Sequence, residues 1–159
     1  FAMTGWRIGY TASSPEIAKL MSNVQSHSTS NPNSIAQKAA VAALEGGLDF
    51  VVEMKAEYKK RRDYMVSRIN SLDGVSCKKP SGAFYIMMNI SGIFGKNYNG
   101  KLIDSSSSFA DAFLDNSLVA VVPGEGFMAD DYVRWSYATS MENIKKGLDR
   151  LEYFLKGLK

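Results

Sequence analysis

The sequence contains very few of the side chains from which disulfides and metal centres are built. Its 159 residues include one cysteine, Cys77, and one histidine, His27. A single cysteine excludes an internal disulfide, and it also excludes a zinc site made of several thiolates. We therefore expect no metal site, and we expect a reducing, cytoplasmic setting.

Long apolar runs and a strong charge of one sign are missing as well. No stretch of about 18 consecutive apolar residues occurs, so the sequence predicts no transmembrane helix and no membrane partner. The net charge is only +3. The one basic run, KKRR at 59–62, falls within a helical pattern. We interpret it as a solvated helix face, since nucleic-acid binding usually requires a wider basic surface, and we expect no nucleic-acid partner.

The sequence also lacks a recognisable set of nucleophile, base and orienting residue. His27 lies in a polar segment, where a lone histidine is more often a surface residue than a catalyst. The segment GEGF at 124–127 is too short for a dinucleotide-binding motif, and a further strand pattern follows it. The composition therefore identifies no catalytic residue within the chain.

The first 47 residues predict one strand and two helices. WRIGYTAS at 6–13 has the pattern of a short strand. Ser14 is a candidate N-cap with Pro15 at the first helical position. After a polar segment at 26–34, an Ala-rich helix pattern ends at Gly46 and Gly47. These elements are too few for an independent core. We expect residues 1–47 to be the C-terminal tail of a larger domain.

Residues 48–159 predict a small α+β domain. An amphipathic helix is expected over 48–72, long enough to connect two domains, and the closing helix begins after Ser140. The apolar run GAFYIMMNI at 82–90 predicts a strand buried on both faces, and SGIFGKNYNGKLIDSSSS predicts a mobile loop. The other expected elements are strands around VSCKKP, SLVAVVPGEGF and YVRWSYAT and a helix around SFADAFLDN.

Two arginines occupy unusual positions. Arg7 lies beside a predicted strand among small and aromatic residues, and Arg134 lies between Val133 and Trp135. A cation in so apolar a strand must be paired with an acid or must bind an anionic ligand. The planar guanidinium suits both roles, because it binds carboxylate or phosphate through two parallel hydrogen bonds. The residues alone leave both alternatives open.

The same segments carry a family resemblance. FAMTGWRIGY resembles the segment that follows the Schiff-base lysine in class I/II, aspartate aminotransferase-like, fold-type I aminotransferases, which depend on pyridoxal 5′-phosphate. TSNPNSIAQKAAVAAL, PSGAFYIMMNI, VAVVPGEGF and YVRWSYATSMENIKKGLDRL are similar to later motifs of that family, in the same order. The resemblance implies the tail of the large cofactor domain (1–47) followed by the small domain (48–159).

The resemblance also implies roles for individual residues. Arg7 matches the arginine that binds the cofactor phosphate, and Arg134 matches the arginine that binds the substrate α-carboxylate. Phe127 matches an aromatic residue near the substrate. The lysine would fall two positions before Phe1, so we expect this chain to be inactive by itself. A homodimer is implied for the full-length protein.

One departure from the family pattern concerns the substrate. The best-known branch has an arginine shortly before the Ser-Asn-Pro loop that binds the distal carboxylate of a dicarboxylic substrate. NVQSHSTSNP at 23–32 has none. The resemblance implies amino transfer between an amino acid, with aspartate as one candidate, and a 2-oxo acid. Two alternatives are a pyridoxal-phosphate-dependent β-lyase of the same fold and a non-catalytic regulator that binds the cofactor.

Overall fold

The structure is a computed structural model that describes residues 1–159. The chain divides into two compact units, Phe1–Glu53 and Met54–Lys159. The boundary predicted between residues 47 and 48 stays a prediction. The first unit contains a 3-10 helix, two α-helices and the start of a third, and no strand: Thr4–Trp6, α1 Pro15–Ser28, α2 Ser34–Glu45 and α3 Asp49–Ile69.

The helices of the first unit begin where local sequence signals place them. Ser14 is the extended N-cap residue of α1, and Pro15 is its first helical residue, as predicted. The side chain of Asn33 caps α2 by accepting hydrogen bonds from the backbone N–H groups of Ile35 and Ala36, at 2.9 and 3.1 Å. The side chain of Ser14 makes no such hydrogen bond, so only α2 has a side-chain cap, and the start of α1 rests on Pro15.

The strand predicted over 6–13 is wrong. Residues 7–14 have no regular secondary structure, and all strands of the chain lie in the second unit. A strand forms only where neighbouring backbone takes up its N–H and C=O groups, and none does so here. The first unit also has almost no core. Ala36 is its one buried residue, whereas the apolar stripe of α1 is exposed.

The second unit contains an antiparallel sheet and all of the buried hydrophobic residues except Ala36. Its sheet has the order β1-β2-β6-β5, and β3 and β4 form a separate hairpin. The elements are β1 Ser76–Cys77, β2 Tyr85–Asn89, β3 Asn97–Tyr98, β4 Lys101–Leu102, α4 Ser106–Ser117, β5 Val122–Pro123, β6 Tyr132–Ser136 and α5 Met141–Lys156. Short 3-10 helices cover Ser91–Ile93 and Glu125–Phe127.

Helix α3 is shorter than the predicted helix over 48–72. It ends at Ile69, and the N–H of Asn70 makes one more hydrogen bond of helical spacing, to the carbonyl of Val66 at 3.1 Å. The side-chain amide of Asn70 donates to the carbonyl of Cys77 at 3.0 Å, and its carbonyl accepts from the N–H of Cys77 at 2.8 Å. This exchange joins the end of α3 to an edge strand and satisfies two of the strand's backbone groups.

The mobile loop predicted over 91–108 is also wrong. The segment contains the β3–β4 hairpin, whose two turn residues, Asn99 and Gly100, have φ values of 50° and 84°. Such positive values are typical of the tight turn formed by Asn-Gly. Tyr98 of this hairpin is buried and stacks on Phe154, with ring centroids 4.2 Å apart. Packing against α5 therefore orders a segment whose composition resembles a loop.

The central strands have one buried face and one half-buried face. In β2 and β6 the buried residues alternate with half-buried ones, against the prediction of a strand buried on both faces. Alternation of this kind is typical of an antiparallel sheet covered by helices on one side. The covered face carries Ile86, Met88, Val133 and Trp135. The other face carries Tyr85, Met87 and Arg134, and it therefore remains accessible to a ligand.

The basic run at 59–62 is partly neutralised within α3. Each of its four cations lies within 3.5 Å of a carboxylate, either Glu57 or Asp63. The Lys79 and Lys59 ammonium groups hold the pKa of Asp63 below its usual range. This pairing reduces the positive potential that the four side chains would otherwise present. No helix of the structure combines the length and the apolar sequence needed to cross a membrane.

An aromatic cluster forms the centre of the core. Phe154 is fully buried, and its ring lies 5.2 Å from that of Phe113 and 5.7 Å from that of Phe109. Both contacts are edge-to-face, the arrangement that the charge distribution of aromatic rings favours. Tyr98 stacks on the ring of Phe154 as well, so the Phe154 side chain connects α5 with α4 and with the β3–β4 hairpin.

Replacing Phe154 by alanine is expected to lower the free energy of unfolding by about 3–5 kcal/mol, because it leaves a cavity in this cluster. The measurement is urea unfolding of the 159-residue chain, followed by circular dichroism. Tyr153 precedes Phe154 on the exposed side of α5, so Tyr153→Ala is the matched control with an expected change within about 0.5 kcal/mol. Equal effects of the two substitutions would contradict this description of the core.

Candidate functional site

Arg134 lies at the centre of the accessible face of the sheet. It is the middle residue of β6, where its register partners are Met87 on β2 and Val122 on β5. Because side chains alternate along a strand, Arg134 lies on the face opposite the buried Val133 and Trp135. The flanking strands thus hold its backbone on both sides, and Arg134 is half-buried.

Two aromatic rings flank the guanidinium group. The central carbon of the Arg134 guanidinium lies 4.4 Å from the ring centroid of Tyr85 and 4.8 Å from that of Phe127. Both distances are within the range of a cation–π interaction. The rings restrict the position of the side chain without using its N–H donors, so these donors can bind an anion.

Neither Arg134 nor Arg7 forms the structural ion pair that the sequence left open as an alternative to ligand binding. No carboxylate oxygen lies within 4.0 Å of the guanidinium nitrogens of Arg134 or Arg7. Other arginines of the chain do pair, as Arg68 does with Asp149 at 2.8 Å and Glu152 at 3.2 Å. The two arginines singled out by sequence therefore keep donors that no acid of this chain occupies.

A tight turn after β5 places Phe127 beside Arg134. The carbonyl of Gly124 accepts hydrogen bonds from the N–H groups of Phe127 and Ala129, at 2.8 and 3.0 Å. The N–H of Gly124 donates to the carbonyl of Tyr132 at 2.9 Å, which joins the turn to β6. A Cβ on Gly124 would lie 2.0 Å from the Ala129 carbonyl oxygen, so only glycine fits this position.

Arg7 lies in the first unit and has a different environment. It follows the 3-10 helix Thr4–Trp6 in the left-handed backbone conformation, with φ 51° and ψ 43°. One guanidinium N–H donates to the carbonyl of Thr4 at 2.9 Å. An open hollow adjoins the guanidinium, and its lining consists of Gly5, Trp6, Arg7, Pro32, Asn33, Ile35 and Ala36. Arg7 thus combines a permanent positive charge with open space beside the backbone of Gly5.

Two of the three site residues predicted from sequence lie together. Arg134 and Phe127 are in contact within the second unit, and Arg7 belongs to the first unit. Sequence reasoning missed Tyr85, which contacts Arg134 more closely than Phe127 does. Alternation along each strand could have placed Tyr85 and Arg134 on matching faces. The register that makes them diagonal neighbours depends on the pairing of β2 with β6.

The sequence matches a family model over almost its whole length. Residues 1–151 match the family described as aminotransferase class I and II. The chain is 44% identical over 152 residues to an aspartate aminotransferase of Rhizobium meliloti, covering 95% of this chain and 37% of that protein. It is 43% identical to the aspartate/prephenate aminotransferase of Cereibacter sphaeroides, covering 99% of this chain and 40% of that protein. The chain thus spans about two fifths of these relatives.

Solved structures give the same result. The crystal structure of the Rhizobium meliloti aspartate aminotransferase matches 99% of this chain and 40% of its own, with a TM-score of 0.92 and 42% identity. The aromatic aminotransferase of Pyrococcus horikoshii matches 98% of this chain and 40% of its own, with a TM-score of 0.82 and 37% identity. These matches confirm the predicted fold class, an α/β and α+β segment of the transferase fold. The chain belongs to the class I and II aminotransferase family.

Proposed function

We propose that this chain is the C-terminal part of an aminotransferase that moves an amino group between an amino acid and a 2-oxo acid. The observation that carries the proposal is Arg134, an unpaired guanidinium between two aromatic rings on the accessible face of the sheet. Family membership supports it. The chain spans 37–40% of its relatives, so the activity is proposed for the full-length protein.

Arg134 is the proposed binding residue for the substrate α-carboxylate. A guanidinium can donate two parallel hydrogen bonds to a carboxylate, which orients the ligand as well as attracting it. The α-carboxylate is common to all amino acids, so this contact fixes the position of the Cα without selecting a side chain. Tyr85 and Phe127 hold the guanidinium and shield it from water on part of its surface.

Arg7 is the proposed binding residue for the phosphate of pyridoxal 5′-phosphate. The residues fit this group, since Arg7 has no acidic partner and a Cβ on Gly5 would meet no atom within 4 Å. The open space lets a phosphate approach the backbone, where N–H groups add to the charge of the guanidinium. When bound, pyridoxal 5′-phosphate supplies the electron sink that amino transfer requires.

The nature of the substrate side chain is also a proposal. The relatives are called aspartate, aspartate/prephenate and aromatic aminotransferases, so their substrates differ beyond the α-carbon. The segment 23–32 lacks an arginine that could bind a second carboxylate. We propose aspartate as the first donor to assay, with its distal carboxylate bound by residues outside this chain.

We further propose that the full-length protein is a cytoplasmic homodimer whose two domains correspond here to 1–47 and 48–159. The exposed apolar stripe of α1, which includes Ile17, Leu20 and Val24, supports an additional protein contact. The half-buried thiol of Cys77 fits a reducing compartment. Light scattering of the full-length protein during size-exclusion chromatography measures the oligomeric state directly.

The test of the proposed activity is a product assay with the full-length protein. Aspartate, glutamate, phenylalanine and alanine are each supplied with 2-oxoglutarate or oxaloacetate, and new amino acids are quantified. The proposal predicts amino transfer that depends on the 2-oxo acid. A β-lyase would instead release ammonia and pyruvate from donors with a β-leaving group, and cysteine conjugates are assayed as a fifth donor for this purpose. Cofactor binding without either product would favour the non-catalytic alternative.

A further inference from the structure

We propose that Ser106 and Asp130 form a positioning pair that holds Phe127 against Arg134 and so sets the affinity of the carboxylate site. The inference rests on the proposed function of Arg134. Neither residue contacts the guanidinium. They act instead on the turn over residues 124–130, which we call the Phe127 turn.

Ser106 is an exceptional residue in this fold, because it is the one buried polar side chain and is fully inaccessible. Its hydroxyl donates to a carboxylate oxygen of Asp130 at 2.5 Å, and its N–H donates to the same oxygen at 2.9 Å. The hydroxyl oxygen also accepts from the N–H of Glu125 at 3.1 Å. Three hydrogen bonds therefore join the first residue of α4 to both ends of the Phe127 turn.

The Phe127 turn has two kinds of attachment. Gly124 and Ala129 join it to β6 through backbone hydrogen bonds with Tyr132, and Ser106 joins Glu125 and Asp130 to α4. Beside the second attachment, the hydroxyl of Ser107 donates to the carboxylate of Glu125 at 2.8 Å. Hydrogen bonds from Ser106 also lower the pKa of Asp130, so the acceptor is ionised at neutral pH.

Core packing does not hold Phe127 in place. Its side chain is 47% exposed, and Met128, the next residue, is 99% exposed. The position of the Phe127 ring, 4.8 Å from the guanidinium carbon, therefore depends on the backbone of the turn. When the attachment to α4 is lost, we expect the turn to move and Arg134 to lose one of its two rings. The guanidinium then becomes more mobile, and carboxylate binding weakens.

The test uses full-length protein and steady-state kinetics with the best amino donor. Asp130→Ala is expected to raise the KM about tenfold, with kcat changed less than threefold and cofactor affinity unchanged. Asp130→Asn keeps an oxygen that accepts both hydrogen bonds, so its KM is expected within about twofold of the wild type. Asp131→Ala is the matched control, because Asp131 makes no side-chain hydrogen bond or salt bridge, and its KM is expected to be unchanged.

A double-mutant cycle separates positioning from general destabilisation. If Asp130 acts through Phe127, the KM of Phe127→Ala/Asp130→Ala equals that of Phe127→Ala alone. Multiplicative effects of the two substitutions would overturn the proposal, as would a loss confined to kcat or cofactor affinity. If Asp130→Ala fails to fold, Ser106→Ala replaces it, with the same expected changes in KM and kcat. The proposal also requires that Asp130→Asn keep a KM close to that of the wild type.

Arg134→Ala in the same assays separates the proposed carboxylate site from the proposed positioning pair. An unchanged KM for Arg134→Ala would show that the proposed carboxylate site is wrong. A raised KM for Arg134→Ala together with multiplicative effects of Asp130→Ala and Phe127→Ala would leave the carboxylate site intact and would refute only the positioning pair.

Discussion

Replacing Arg134 by alanine in the full-length protein is expected to lower kcat/KM about 100- to 1000-fold for every amino acid that the enzyme accepts. The substitution removes a two-pronged contact with a charged group, worth about 3–4 kcal/mol when two hydrogen bonds are lost. The loss is uniform because all amino donors share the α-carboxylate. The measurement is kcat/KM for at least three donors with different side chains.

Two further variants define the cause of that loss. Arg134→Lys keeps the positive charge but loses the planar guanidinium with its two parallel N–H donors, so we expect it to recover only part of the activity. Arg150→Ala is the control, since Arg150 is a half-buried arginine outside the proposed site, whose guanidinium donates to the carbonyl of Leu118. Its kcat/KM is expected to equal that of the wild type. A loss with Arg134→Ala that is restricted to one donor would mean that Arg134 recognises a side chain.

Replacing Arg7 by alanine is expected to weaken the binding of pyridoxal 5′-phosphate by about 100-fold, because a doubly charged phosphate loses its permanent cation. The measurement is a titration of the apo form of the full-length protein with cofactor, followed by absorbance. At saturating cofactor, kcat is expected to recover, since Arg7 binds the phosphate rather than the reacting atoms.

Lys19→Ala is the matched control for this titration. Lys19 is an exposed cation of the same unit, and it makes no salt bridge or side-chain hydrogen bond. Its substitution changes the net charge by the same amount as Arg7→Ala, so it separates a specific contact from a general electrostatic effect. Equal cofactor affinities of the wild type and Arg7→Ala would rule out the phosphate role.

Elements with strong local signals could be predicted from the sequence. Ser14 with Pro15 predicts the start of α1, and Ser140 predicts the start of α5, where its side chain accepts from the N–H of Asn143. The predicted strand over 6–13 failed because a strand depends on a neighbouring strand. The predicted loop over 91–108 failed because burial of Tyr98 against Phe154 outweighs a composition typical of loops.

The candidate site shows the same division between local and long-range information. Arg134 can be identified from the sequence as a candidate site residue, because a cation in an apolar strand must be paired or must bind a ligand. Tyr85 becomes visible only with the register of β2 and β6, and Ser106 becomes visible only when α4 is packed beside the Phe127 turn. Residues that hold a site together across the chain depend on tertiary contacts, which periodicity and composition do not encode.

The most direct test of the central claim compares an amino acid with its α-carboxamide in the full-length protein and in Arg134→Ala. We predict that the wild type prefers the free acid over the amide by at least about 100-fold in kcat/KM, and that Arg134→Ala removes most of this preference. If both proteins discriminate equally between acid and amide, another group binds the α-carboxylate, and the assignment of Arg134 is wrong.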